Sequence, residues 1–351
     1  MHKLKLILLL SILFFWASFQ FQALAADGHR VGFRTLGFWI PARGVRLDIN
    51  IWYPGTRANR ELNYPPWTIY AARDSKPLSG KFPLILISHP SPATRFSFHD
   101  TAYWLASQGF IVACPTHSHD CIDNMQDLFT WEQLTTRVLE LRMTLDLVLG
   151  EKSLKDNIED GSIGLVGFGA GATAAILMAG AKPNCISWTD YCAKAGKNDL
   201  YCNPWSREKI NGICQNFPLK RSLTDSRIKA FVAVSPGSGM LFSSKSFENF
   251  NASLLLIAAE NDQLYKRAFH IDTIASYLRG KSKLITIQDA DMGALMAPCP
   301  ASLEQELPDL CRSVNSKERD IIHKRLWDAL IMFFSTELNV DDSNNINAQK
   351  Q

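Results

Sequence analysis

Short runs of β-branched and apolar residues recur along the chain, separated by longer stretches in which apolar positions return with helical spacing. The runs predict strands at Val31–Phe38, Arg46–Tyr53, Leu84–Ser88, Phe110–Cys114, Ile163–Phe168, Ala230–Ser235, Leu254–Ala258 and Leu284–Gln288. The middle runs are apolar throughout, as parallel strands covered on both faces are. Helical spacing predicts helices over Phe98–Ser107, Trp131–Leu149, Ala170–Ala179, Arg267–Leu278 and Ser316–Ser335. Such alternation predicts an α/β fold with a mostly parallel central sheet and helices on both faces. No helix separates the first two strands, so they are expected as an antiparallel edge.

The rhythm breaks over 181–227. That stretch holds Cys185, Cys192, Cys202 and Cys214 among scattered Asn, Lys and Pro. It predicts a disulfide-tied cap insertion over the carboxyl edge of the sheet, since long loops without a role are uncommon. Its aromatic residues, Trp188, Tyr191, Tyr201, Trp205 and Phe217, either line a ligand mouth or form a satellite core. Residues 339–351 are polar and predict a disordered tail. At the other end, Lys3 and Lys5 precede an apolar stretch, Leu6 to Phe19, and Ala23-Leu24-Ala25 follows. This reads as a cleaved signal peptide over 1–25, leaving a domain over 26–338 that is secreted or periplasmic. No transmembrane span is expected in the mature chain.

Without Lys3 and Lys5 the 37 basic residues become 35, against 34 acidic ones. That balance gives no electrostatic footprint for nucleic acid. All eight cysteines follow residue 25, and an even number in an exported chain favours disulfides. Cys299–Cys311 and Cys114–Cys121 are the expected local pairs, and the four cap cysteines leave three connectivities open.

The most informative segment is Ile163-Gly-Leu-Val-Gly-Phe-Gly-Ala-Gly171, a buried run turning sharply into a helix. Three further segments keep it company: Phe82-Pro-Leu-Ile-Leu-Ile-Ser-His89, Leu105-Ala-Ser-Gln-Gly-Phe-Ile-Val-Ala-Cys-Pro115, and Met292 to Cys299. In this order and spacing they resemble the α/β-hydrolase superfamily, and within it the group of platelet-activating-factor acetylhydrolases and dienelactone-hydrolase-like proteins. The resemblance implies an α/β-hydrolase fold across nearly the whole domain. It also maps a Ser…Asp…His triad onto Gly169, Asp262 and Met292. Gly169 fills the nucleophile position of the Gly-x-Ser-x-Gly elbow, and Met292 stands where the histidine belongs. Only the acid, Asp262, is kept.

Neither glycine nor methionine can attack a carbonyl or accept a proton, so acyl transfer by this route is excluded. Oxyanion-binding amides map onto Ser91 and Ala170. The expectation is a pseudo-hydrolase that binds an ester, lipid, acyl compound or partner in the former substrate pocket, with no cofactor. The alternative is an active esterase using relocated or metal-assisted groups, for which His89, His117 and His119 are the candidate ligands. Thr173, Cys114 and Ser162 are poor substitute nucleophiles, and His99 and His270 are not placed by sequence. Gly167-Phe-Gly-Ala-Gly-Ala172 also matches a dinucleotide fingerprint. Its required acid, Asp190, lies in Ser187-Trp-Thr-Asp-Tyr-Cys192, which is no strand.

Overall fold

The computed structural model describes residues 28–184, 188–216 and 222–340. The expected signal peptide and most of the expected tail lie outside these residues. Of the tail, Val340 is held by its N–H on the Ser335 carbonyl at 3.0 Å.

Ten strands form one sheet: β1 (Val31–Ile40), β2 (Val45–Pro54), β3 (Arg60–Tyr64), β4 (Trp67–Arg73), β5 (Phe82–Ser88), β6 (Ile111–Pro115), β7 (Ile158–Phe168), β8 (Ala230–Val234), β9 (Ser253–Ala259) and β10 (Lys283–Ile287). Their order is β10-β9-β8-β7-β5-β6-β2-β1-β4-β3. From β10 to β6 every pairing is parallel. β5, β6 and β8 are buried along their whole length, which explains their unbroken apolar runs.

β1 and β2 pair antiparallel as expected, but they are not the edge. Outside them lies the β3–β4 hairpin, which the sequence reading missed. Its pattern is legible in retrospect. Leu62, Trp67, Ile69 and Ala71 are buried, with exposed residues between them, and Pro65-Pro66 fills the turn.

The helices used below are α1 (His99–Ser107), α2 (Trp131–Leu149), α3 (Ala170–Met178), α4 (Trp188–Ala195), α5 (Pro204–Asn216), α6 (Ile271–Leu278), α7 (Met292–Leu295), α8 (Ala301–Glu306), α9 (Pro308–Cys311) and α10 (Ser316–Glu337). α2 starts at Thr130, whose hydroxyl accepts from the Gln133 N–H. α10 starts in a capping box between Asn315 and Glu318. α1 and α10 pack together, with Trp104 stacked on Trp327 at 5.2 Å. α2 and α3 form a second packed pair. α3 is apolar all round and buried from Gly171 to Met178, as a helix inside the core must be.

The cap is real and disulfide-tied. Cys192 on α4 bonds Cys202, just before α5. The buried Tyr191 and Tyr201 pack with Phe129, Phe269 and His270 and are continuous with the main core rather than a separate satellite. Trp205 is exposed. Cys185, Phe217 and the side chains of Trp188 and Cys214 lie outside the described residues.

Cys299–Cys311 forms as expected. Cys114–Cys121 does not, and both thiols are free and buried. The reason is local. Cys114 sits inside β6, in register with Asn50 of β2. Cys121 is turned into a separate bridge with Asn124, its thiol on the Ser118 carbonyl.

Candidate functional site

The turn after β7 has the shape of a nucleophile elbow. Gly169 sits at φ 55°, ψ −114°, a region that side chains rarely occupy. The flanking glycines are demanded by contact. A Cβ on Gly167 would lie 2.0 Å from the Gly171 carbonyl oxygen, and one on Gly171 would lie 2.1 Å from the Ser88 carbonyl oxygen. The Gly169 N–H bonds the Val234 carbonyl of β8 at 3.0 Å.

The space a nucleophile would use is filled. A Cβ on Gly169 would meet Tyr265 Cε2 at 2.9 Å, Pro90 Cβ at 3.0 Å and the Tyr265 hydroxyl at 3.1 Å. Tyr265 is buried, and burial, then the neighbouring Asp262 charge, pushes its phenol well above the ordinary range. It is therefore a plug rather than a substitute nucleophile.

Asp262 holds that plug. Its Oδ1 accepts from the amides of Leu264 at 3.0 Å and Tyr265 at 2.8 Å. Its Oδ2 is buried with no hydrogen-bond partner among the described residues. Burial is the main cause of a raised carboxyl pKa, and the nearby Asp291 adds to it. The Tyr265 amide, the Ser235 hydroxyl and the Leu264 amide pull the other way. The loop carrying Met292 lies alongside, because the Asn261 N–H bonds the Ala290 carbonyl at 2.7 Å. Asp291 caps α7 through the Ala294 N–H, and Met292 is buried behind it. A thioether has no N–H to give, so the acid keeps an orphan oxygen where a triad would supply an imidazole.

The Ser91 side of the proposed oxyanion pair is pinned from below. The Ser91 hydroxyl donates to Asp120 Oδ1. Asp120 Oδ2 accepts from Arg137 Nε at 2.6 Å and Gln133 Nε2 at 2.8 Å. Arg137 Nη1 donates to the His89 carbonyl at 2.6 Å. Burial acts to raise the Asp120 carboxyl, but Arg137, Ser91 and Gln133 outweigh it and hold it below the usual range. Ala170 opens α3, where the first amides lack an intrahelical acceptor.

His89 and His117 come together, with ring centroids 4.8 Å apart, but neither has a nitrogen to spare. His89 Nδ1 bonds the Pro90 carbonyl at 2.7 Å, and its Nε2 accepts from the His117 N–H at 3.0 Å. His117 Nε2 lies 2.8 Å from the Ser88 hydroxyl, and its Nδ1 lies 2.8 Å from Glu140 Oε2. His119 is elsewhere, against Arg43 at 2.6 Å and near Asp127. The three histidines therefore do not converge, and the first two have no lone pair free for a cation.

Ser88–His117–Glu140 is a serine–imidazole–carboxylate chain that sequence reading missed. It is sealed, with exposures of 0%, 1% and 0%. Burial pushes His117 well below its ordinary pKa and Glu140 above its own, with the Ser118 hydroxyl and amide pulling Glu140 back down. The Ser118 N–H at 3.2 Å and its hydroxyl complete the carboxylate. The chain ties β5, the turn after β6 and α2 together beneath the elbow.

The remaining candidates fall away from chemistry. Thr173 is buried, its hydroxyl on the Gly169 carbonyl at 3.4 Å. Ser162 bonds the Leu338 carbonyl at 3.3 Å, on a part of β7 remote from the elbow. Burial pushes the Cys114 thiol well up. His99 rests against Trp67. His270 lies in the cap core, its pKa lowered to about 4 by burial. Asp190 is on a helix, which ends the dinucleotide reading.

No family model and no curated protein matches the chain. Among solved structures, a ferulic acid esterase from Streptomyces cinnamoneus superposes with TM-score 0.59 at 14% identity, over 90% of this chain and 91% of that one. The likeness shows the fold: this is an α/β-hydrolase fold with a disulfide-tied cap. No helix among the described residues is long and apolar enough to cross a membrane.

Proposed function

We propose that the chain is an exported pseudo-hydrolase: it binds an ester, lipid, acyl compound or partner at the carboxyl edge of the sheet and does not cleave it. One observation carries this reading. Tyr265 and Pro90 occupy the volume in which the nucleophile of an elbow would project. The orphan Asp262 oxygen beside Met292 supports it. The four resembling segments favour kinship with the platelet-activating-factor acetylhydrolase and dienelactone-hydrolase-like group. The two disulfides among the described residues favour export.

Where both serine and histidine are lost from a serine hydrolase, about 10⁶ in kcat goes with them. Hydrolysis of p-nitrophenyl acetate is accordingly expected about 10⁶-fold below that of a serine hydrolase, with at most the residual of about 10³–10⁴ over water that binding and amides alone supply. Turnover abolished by Asp262→Ala would refute the reading. A second reading, hydrolysis by relocated groups, would need the sealed Ser88–His117 pair to open to the substrate. Its mark would be turnover that survives Asp262→Ala and disappears in Ser88→Ala.

A further inference from the structure

A groove of about 550 Å³, within the range of small-molecule sites, runs between the β3–β4 hairpin, the segment after Ser91 and the Cys299–Cys311 region. One wall is the tip of the β3–β4 hairpin with Trp67, the floor is the Pro92–Ser97 segment with Phe96, and the far wall carries Met296, Leu303 and Leu310. The walls are built to stay put. Cys299–Cys311 ties the far one. Behind it the buried Arg319 donates to the carbonyls of Gly293 at 2.6 Å, Met296 at 2.9 Å and Cys311 at 3.2 Å. The Ala297 N–H joins wall to floor on the Ser97 carbonyl at 2.9 Å. A preformed groove, part apolar and part polar, lowers the ordering cost of binding.

The charge around it selects one kind of head group. Arg95, the cation in the lining, lies over one side of the Phe96 ring at 5.0 Å and is engaged by Asn50 at 3.2 Å, Thr116 at 3.3 Å and Asp48 at 3.8 Å, with the Asp123 charge acting on it from further off. Asp123 and Glu306 are exposed in the lining and have no ion-pair partner among the described residues. We infer that the groove takes an amphiphile with an apolar acyl, alkyl or aryl body and a cationic head, the body against Phe96, Met296 and Leu303 and the head toward Asp123 and Glu306. This rests on the reading that the chain binds at this edge, and it names where and what.

The test is a calorimetric titration at low salt with three probes of equal chain length, octylammonium, octanol and octanoate, below their aggregation concentrations. Octylammonium is expected to bind tightest and octanoate weakest. Asp123→Asn with Glu306→Gln should weaken octylammonium about two- to five-fold per carboxylate and leave octanol unchanged. Leu303→Arg should abolish binding of all three. Octanoate binding as tightly as octylammonium, or no effect of the surface double variant, would overturn the inference. The surface variant keeps the test open if Leu303→Arg does not fold. Ester turnover with the cation preference intact would sink the noncatalytic reading and spare the groove, whereas loss of the preference without turnover does the reverse.

Discussion

Adding a single carbon to Gly169 measures how full the elbow is. In Gly169→Ala the new Cβ must accept φ 55° and stand 2.9 Å from Tyr265 Cε2. The backbone strain costs about 1–3 kcal/mol. Overpacking against the ring costs about 1–3 kcal/mol more. The total, about 2–6 kcal/mol, is a large share of a typical domain's stability. Tyr265→Leu removes the two close ring atoms but not the strain. In that background Gly169→Ala keeps the strain and the 3.0 Å contact with Pro90 Cβ and loses only the overpacking against the ring, so it should cost about 1–3 kcal/mol less than in wild type. The coupling of about 1–3 kcal/mol is what contacting residues show. Equilibrium urea unfolding of the four proteins gives it directly. Equal costs in both backgrounds would mean that Tyr265 does not fill the nucleophile space, and the plug argument would fall.

Asp262 predicts a pH signature. Its folded pKa is raised, so the stability linked to its proton is full below the unfolded value near 3.8 and is lost as pH rises through the folded pKa. The melting temperature of Asp262→Asn relative to wild type should therefore climb from acid pH and level off at neutral pH, and a falling difference would contradict the assignment. Arg137→Met strands the Asp120 carboxylate and should cost about 3–5 kcal/mol in chemical denaturation. Removing Cys299–Cys311 by double alanine substitution should cost about 3 kcal/mol for its short loop. Alkylation of the unfolded, unreduced protein should modify Cys114 and Cys121, and a peptide linking them would restore the rejected disulfide.

What could be read in the sequence was set by backbone geometry and chain order. Gly167, Gly169 and Gly171 announced the elbow because two strands and a helix crowd that turn, whatever side chains surround it. The apolar runs of β5 to β9 announced burial on both faces. What escaped depends on contacts between distant segments. Tyr265 reads as one aromatic residue in a loop until β9 delivers it over Gly169. Glu140 sits between the buried Val138 and Leu141 of α2, and only the fold shows that this carboxylate is buried against His117 and Ser118. The β3–β4 hairpin had the right alternation and a turn marker in Pro65-Pro66, but its strands are short and hold few β-branched residues. Cys114 was paired by proximity in sequence, and the sheet took it elsewhere.

A fluorophosphonate probe followed by intact-mass measurement tests the noncatalytic claim most directly, since it reports any serine activated by an imidazole wherever it lies. The prediction is an unmodified mass for the folded protein under conditions that saturate an active serine hydrolase. A stoichiometric single adduct, mapped to Ser88 or to any other serine, would contradict it.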